Sequence, residues 1–212
     1  MTIENLRNLY EAEEYNKYGS TPEFTENGFA INHVNSNSIT YFDSLDIQTS
    51  KYHQEGLMDH IALVTRRMAS ASNYDTLAIT IAILHDLGKK YTIKINAHGE
   101  VCYYGHEHLS ALIAKDLINE HRLLNEDDTN IVFAVIDAHL QLKLLKGIAL
   151  YCFVEGFKKI YGEKAYHYLE MLDKADEGIN ESDLLDESRM FGYEESIKTG
   201  YSIIEGVISN WN

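Results

Sequence analysis

"AITIAILHDLGKK", residues 78–90, decides how the chain is read. From Leu77 to Leu84 the segment is apolar nearly all round, with Thr80 as the one interruption. Such a pattern suits a helix buried on every side. It then ends in His85-Asp86, followed by Leu87, Gly88 and two lysines. An imidazole and a carboxylate at the end of a buried helix are costly unless something pairs with them. Taken alone, the pair is an ordinary polar helix end emerging into solvent. Asp75 is placed to cap the helix start, and Gly88 to stop it.

Working outward, the chain reads as mostly helical. Its single proline is Pro22, and helix-period runs dominate. "GLMDHIALVTRRMASAS" puts Leu57, Ile61, Val64 and Met68 on one stripe with His60 beside it. "YTIKINAHGEVCYY" alternates β-prone residues around a turn at Asn96 to Gly99, which predicts a short hairpin. "HEHLSALIAKDLINEHRLL" and "DDTNIVFAVIDAHLQL" predict two helices. "GIALYCFVEGFKKIYG" and "EKAYHYLEMLDKADEGI" predict two more, and "YEESIKTGYSIIEGVISNW" an amphipathic tail helix packed back on the core. Residues 1–45 read as an extension: a polar first helix, a Thr-Pro turn, then Asn- and Ser-rich chain.

Composition narrows the function classes. The 212 residues carry a net charge of −15. That balance argues against broad nucleic-acid wrapping and anionic-membrane binding, both of which need clustered Lys and Arg. It is compatible with a small phosphorylated ligand held through a metal. Cys102 and Cys152 are too few for a disulfide framework. No apolar run approaches the roughly 20 residues of a membrane span, and the first residues lack a signal peptide's apolar core. The expectation is a cytoplasmic protein, with homo-oligomerisation open. The fifteen tyrosines suit packing positions and receive no functional role.

Five positions close or line apolar helix faces: His60, the His85-Asp86 pair, His106 and His139, with Asp176 at the end of "EMLDKAD" as a sixth. Singly, each has an ordinary structural reading. His60 could be a satisfied boundary histidine, His106 a polar helix start, His139 a buried hydrogen-bonded ring, and Asp173 and Asp176 solvated acids. Together, imidazoles and carboxylates are the ligands of borderline and hard divalent ions. A helical bundle can project them from several helices to one point. No thiolate is among them, which disfavours a structural zinc knot.

The order His60, His85-Asp86, His106, His139, Asp176 resembles the HD superfamily of metal-dependent phosphohydrolases. The closer likeness is to the HD domain of bacterial CCA-adding tRNA nucleotidyltransferases, through "YHQEGLMDHIALV", "LHDLGKKYT" and "HGEVCYYGHEHLSALIA". It spans about residues 46–178 and implies an all-α, single-domain HD-type helical bundle with a short β-hairpin insert. Residues 1–45 would then be an N-terminal extension, 46–178 the phosphohydrolase domain, and 179–212 a helical tail on the same domain. Residues 1–45 lack the paired Asp-x-Asp of a nucleotidyltransferase head, so CCA addition is not expected.

The resemblance also implies a ligand set. His60, His85, Asp86 and Asp176 would hold one metal, with Asp173 as the competing last ligand. His106 and His139 would hold a second, with Asp86 bridging. The cofactor would be one or two divalent ions (Mn, Fe, Co, Ni or Mg), making Asp86 catalytic as well as a ligand. Lys89 is the candidate phosphate contact, against the alternative of a solvated surface lysine; Arg67, two turns from His60, is a weaker one. The implied activity is hydrolysis of a small nucleotide or RNA 3′-end phosphate such as a 2′,3′-cyclic phosphate. A nucleotidase or dNTP phosphohydrolase is the alternative, and a non-catalytic nucleotide- or partner-binding module the second.

Overall fold

The computed structural model describes residues 28–30, 56–96, 100–177 and 187–210. The polar first helix and Thr-Pro turn expected near the N-terminus lie outside these residues. The architecture is an all-α helical bundle carrying a very small sheet. In chain order the elements are β1 (Gly28–Ala30), α1 (Leu57–Ala71), α2 (Thr76–Leu84), α3 (Lys89–Thr92), β2 (Lys94–Asn96) and β3 (Val101–Cys102). They continue with α4 (His106–His121), α5 (Glu126–Ala138), α6 (Gln141–Leu144), α7 (Gly147–Ala175) and α8 (Glu187–Ile208). Among the described residues, no helix is long and apolar enough to cross a membrane.

α2 is the centre. Every residue from Leu77 to Leu84 is buried, and the helix packs against α1, α4, α5, α7 and α8. Its 9 residues, three of them isoleucine, would not hold a helix in isolation. Burial does, at about 1.5–3 kcal/mol for each large apolar side chain taken out of water. Asp75 caps the start, accepting the Ala78 N–H at 2.9 Å, while the Tyr168 hydroxyl donates to the same carboxylate oxygen at 3.0 Å. The buried Thr80 hydroxyl is satisfied one turn back, donating to Thr76 O at 2.8 Å.

The stripe on α1 is buried as its spacing requires: Leu57, Ile61, Val64 and Met68 face the core. The expected hairpin forms, with β2 antiparallel to β3 in the register Lys94↔Cys102 and Ile95↔Val101. Pairing of β1 with the other edge of β2 was not foreseen. The two helices expected between residues 147 and 178 run as α7, broken at Gly162, where φ is +86° and ψ 167°. Only glycine enters that region without a steric cost.

Three expectations need correction. α2 ends at Leu84 rather than at Gly88, and Gly88 has an ordinary helical φ of −71°. Its role is space, not backbone freedom: a Cβ there would lie 2.5 Å from His106 O and 2.7 Å from Ser110 N. The "DDTNIVFAVIDAHLQL" helix is two, because the chain turns at His139 and Leu140 before α6. The tail helix starts at Glu187, earlier than "YEES" suggests. It packs along α1, where Gly200 allows its backbone to meet Ala62 at a distance no Cβ would permit.

Candidate metal centre

Two helices, α1 and α4, converge with the C-terminal ends of three others, α2, α5 and α7. His60 comes from α1. His85 follows the last turn of α2, with Asp86 next to it, and His106 opens α4. His139 caps α5 and Asp176 caps α7. All six side chains are buried, and the structure brings all six together.

Three of the imidazoles are aimed by main chain. His85 Nδ1 donates to Ala82 O at 2.8 Å, His106 Nδ1 to Tyr103 O at 2.7 Å, and His139 Nδ1 to Ile136 O at 2.7 Å. A carbonyl only accepts, so the proton sits on Nδ1 and Nε2 presents its lone pair inward. Each carbonyl belongs to the residue three positions back, so the helix end or turn that supplies the histidine also orients it.

The inward-facing nitrogens meet Asp86, and they divide its carboxylate between them. Oδ2 lies 3.3 Å from His60 Nε2 and 3.2 Å from His85 Nε2. Oδ1 lies 3.2 Å from His106 Nε2 and 3.9 Å from His139 Nε2. Asp176 Oδ1 completes the first side, 2.9 Å from His60 Nε2 and 3.7 Å from His85 Nε2. Two groups of donor atoms result, each within 4.8 Å of one another: His60, His85, Asp86 and Asp176, and Asp86, His106 and His139.

The electrostatics ask for positive charge at this point. Burial opposes ionisation of Asp86, but His85 and Lys89 outweigh it and hold the carboxyl well below the usual range. Burial likewise opposes ionisation of Asp176, and the hydrogen-bonded His60 with the His85 imidazole nearby reverses the balance. Burial works against charging His85, yet Asp86 and Asp176 hold its pKa above the ordinary imidazole value. His139 goes the other way: burial and the neighbouring His106 bring it down to about 3, so it stays neutral.

His85 Nε2 is buried and makes no hydrogen bond, though two carboxylates stand near it. With Nδ1 committed to Ala82 O, a cation is what suits that nitrogen: a second proton, or a metal ion. The donor set is nitrogen and oxygen only, the tautomers of His85, His106 and His139 are fixed by outer hydrogen bonds, and one carboxylate is common to two groups. These residues fit one or two divalent ions of borderline or hard character.

The remaining candidates sort as follows. Lys89 is buried, not solvated, and its Nζ lies 2.7 Å from Asp86 Oδ2. Arg67 faces the end of α7 and donates to Ala175 O at 2.7 Å and Glu177 O at 2.6 Å, on either side of Asp176. Asp173, one turn before Asp176, belongs to neither group; it is half-buried, and burial raises its pKa. Sequence reasoning missed Lys143, whose Nζ lies 2.7 Å from Asp176 Oδ2 and 3.1 Å from Asp176 O. It stands four residues beyond His139, but the turn between α5 and α6 hid that relation. Sequence reasoning also missed Ser110, whose hydroxyl accepts the Gly88 N–H at 2.8 Å and ties the Asp86–Lys89 turn to α4. No protein-family model, curated relative or solved structure matches this chain.

Proposed function

We propose that the chain is a metal-dependent phosphohydrolase of the HD type, acting on nucleotide or RNA-end phosphates such as 2′,3′-cyclic phosphates. The observation that supports it best is the division of Asp86 between two histidine pairs, in the chain order that the HD superfamily uses. Divalent ions bound there would lower the pKa of water and stabilise charge on phosphoryl oxygens. The chain's own residues do the rest. Main-chain carbonyls hold three imidazoles in the tautomer that offers Nε2. His85 and Lys89 keep Asp86 anionic, and Lys89 is the candidate contact to a phosphoryl oxygen. The apolar shell of α2 excludes bulk water from behind, which strengthens each of these interactions. In the reaction, water oxygen bonds to phosphorus, one ribose P–O bond breaks, and the ribose oxygen takes the proton.

The test is metal content and turnover of protein purified without chelator. The reading expects bound transition metal, hydrolysis of 2′,3′-cAMP with Mn²⁺ or Ni²⁺ supplied, and loss of both in His85→Ala. Cleavage of dAMP or dATP alone would favour a nucleotidase or dNTP phosphohydrolase. Absence of metal, with no effect of His85→Ala on any phosphatase assay, would favour a binding module.

A further inference from the structure

We propose that Lys143 is a substrate-binding residue of this site, its ammonium contacting the anionic oxygens of the phosphoryl group from the solvent side. The inference rests on the function proposed above and extends it to the mouth of the site. Depth separates the two lysines: the Lys89 side chain is 5 % exposed and that of Lys143 35 %, although each touches a cluster carboxylate at 2.7 Å. Lys143 therefore stands at the boundary, between solvent and an almost fully buried Asp176.

An ammonium has three donors. Two contacts from Lys143 go to Asp176, to Oδ2 and to the backbone O, which leaves a third hydrogen for a ligand. The lysine is held in place by the turn that sets His139, with its own N–H donating to Leu140 O at 3.2 Å. Charge argues the same way. The chain carries −15 overall, and Asp173 and Glu177 flank Asp176, so an anionic substrate needs a local cation at the entrance. Lys143 is the strongest counter-charge acting on Asp173. Once Asp176 is shared with a divalent ion, its hold on the ammonium weakens and the ammonium's preferred partner becomes the incoming phosphoryl oxygens.

The test uses the full chain loaded with Mn²⁺ and inorganic phosphate as probe, with both affinities read by titration calorimetry. Lys143→Gln should bind Mn²⁺ within about threefold of wild type and phosphate about tenfold more weakly, the scale of one lost charge-assisted hydrogen bond. Lys143→Arg, which keeps the charge, should retain phosphate binding, and it carries the test if Lys143→Gln does not fold. Unchanged phosphate affinity in Lys143→Gln, or lost affinity in Lys143→Arg, overturns the proposal. A tenfold loss of Mn²⁺ affinity with phosphate binding intact would make Lys143 a brace for Asp176 instead. Failure of wild type to take up Mn²⁺ would overturn the proposed function and this inference with it.

Discussion

Asp86→Asn changes one oxygen for a nitrogen, keeps the side chain's shape, and removes the charge on which the site depends. Asp86 is 1 % exposed and Lys89 4 %, so the substitution takes from a buried ammonium the carboxylate oxygen that lay 2.7 Å away. Breaking a buried ion pair from one side costs about 3–5 kcal/mol. For a domain of this size that is a fall in Tm of about 6–20 °C, at roughly 2–4 °C per kcal/mol. Sites crowded with like charges can gain stability when one is removed. Here Asp176 is a like charge within 4.8 Å, but the Lys89 ammonium lies at 2.7 Å and four imidazoles within 3.9 Å of the Asp86 carboxylate, so loss is the expected sign. Thermal unfolding with chelator present isolates this effect from metal linkage. Adding Lys89→Met to Asp86→Asn should then recover at least half the loss, because both members of the buried ion pair are then neutral. With Mn²⁺ at about a hundred times its Kd, wild type should gain about 2.7 kcal/mol, and Asp86→Asn almost nothing, since Asp86 belongs to both donor groups. An Asp86→Asn variant within about 1 kcal/mol of wild type in chelator, where a broken buried pair should cost more, would refute the reasoning. So would equal stabilisation of both by Mn²⁺.

Gly88→Ala tests the close approach at α4: its φ suits alanine, so any cost is steric. Overpacking of about 1–3 kcal/mol is expected, together with weaker Mn²⁺ binding as His106 shifts from Asp86; a variant as stable as wild type in urea would refute it. Tyr168→Phe removes the hydroxyl that holds the α2 cap and should cost about 0.5–1.5 kcal/mol. Burial, with Asp75 beside it, raises the Tyr168 pKa to about 12. The folded state thus keeps that proton longer than the unfolded state does, with its ordinary value near 10. The resulting stability is complete below about pH 10 and lost as pH rises through about 12. Denaturation scans of wild type should steepen in that window, and those of Tyr168→Phe should not.

The fold was legible where pattern and burial coincide. Asp75, the run Leu77–Leu84 and the α1 stripe announce their helices, because an N-cap and an apolar face are local signals. The site residues were legible as a set: four histidines and two aspartates, each ending or lining an apolar face. Gly88 was misread because a glycine near a helix end usually signals a left-handed turn, whereas this one is needed for an approach from residues 106 and 110. Lys143 and Ser110 left no signal for the same reason. Their partners are set by how helices cross, and a polar side chain on a polar helix face looks alike whether it meets water or a carboxylate. Arg67 was placed two turns from His60, but its carbonyl partners left no signal, since the end of α7 arrives from more than a hundred residues away.

The carbonyl tethers on His85, His106 and His139 bear on how this site could drift in evolution. The groups that aim the rings belong to Ala82, Tyr103 and Ile136, yet any residue at those positions supplies the same carbonyl. The site's aim is thus insulated from the side-chain identity of its neighbours and depends on helix ends staying where they are. Substitutions could accumulate throughout the surrounding helices, provided volume is conserved, while the inward set of nitrogens and oxygens keeps its geometry. A saturation scan should find a steep intolerance at the six converging residues set in a broadly permissive surround.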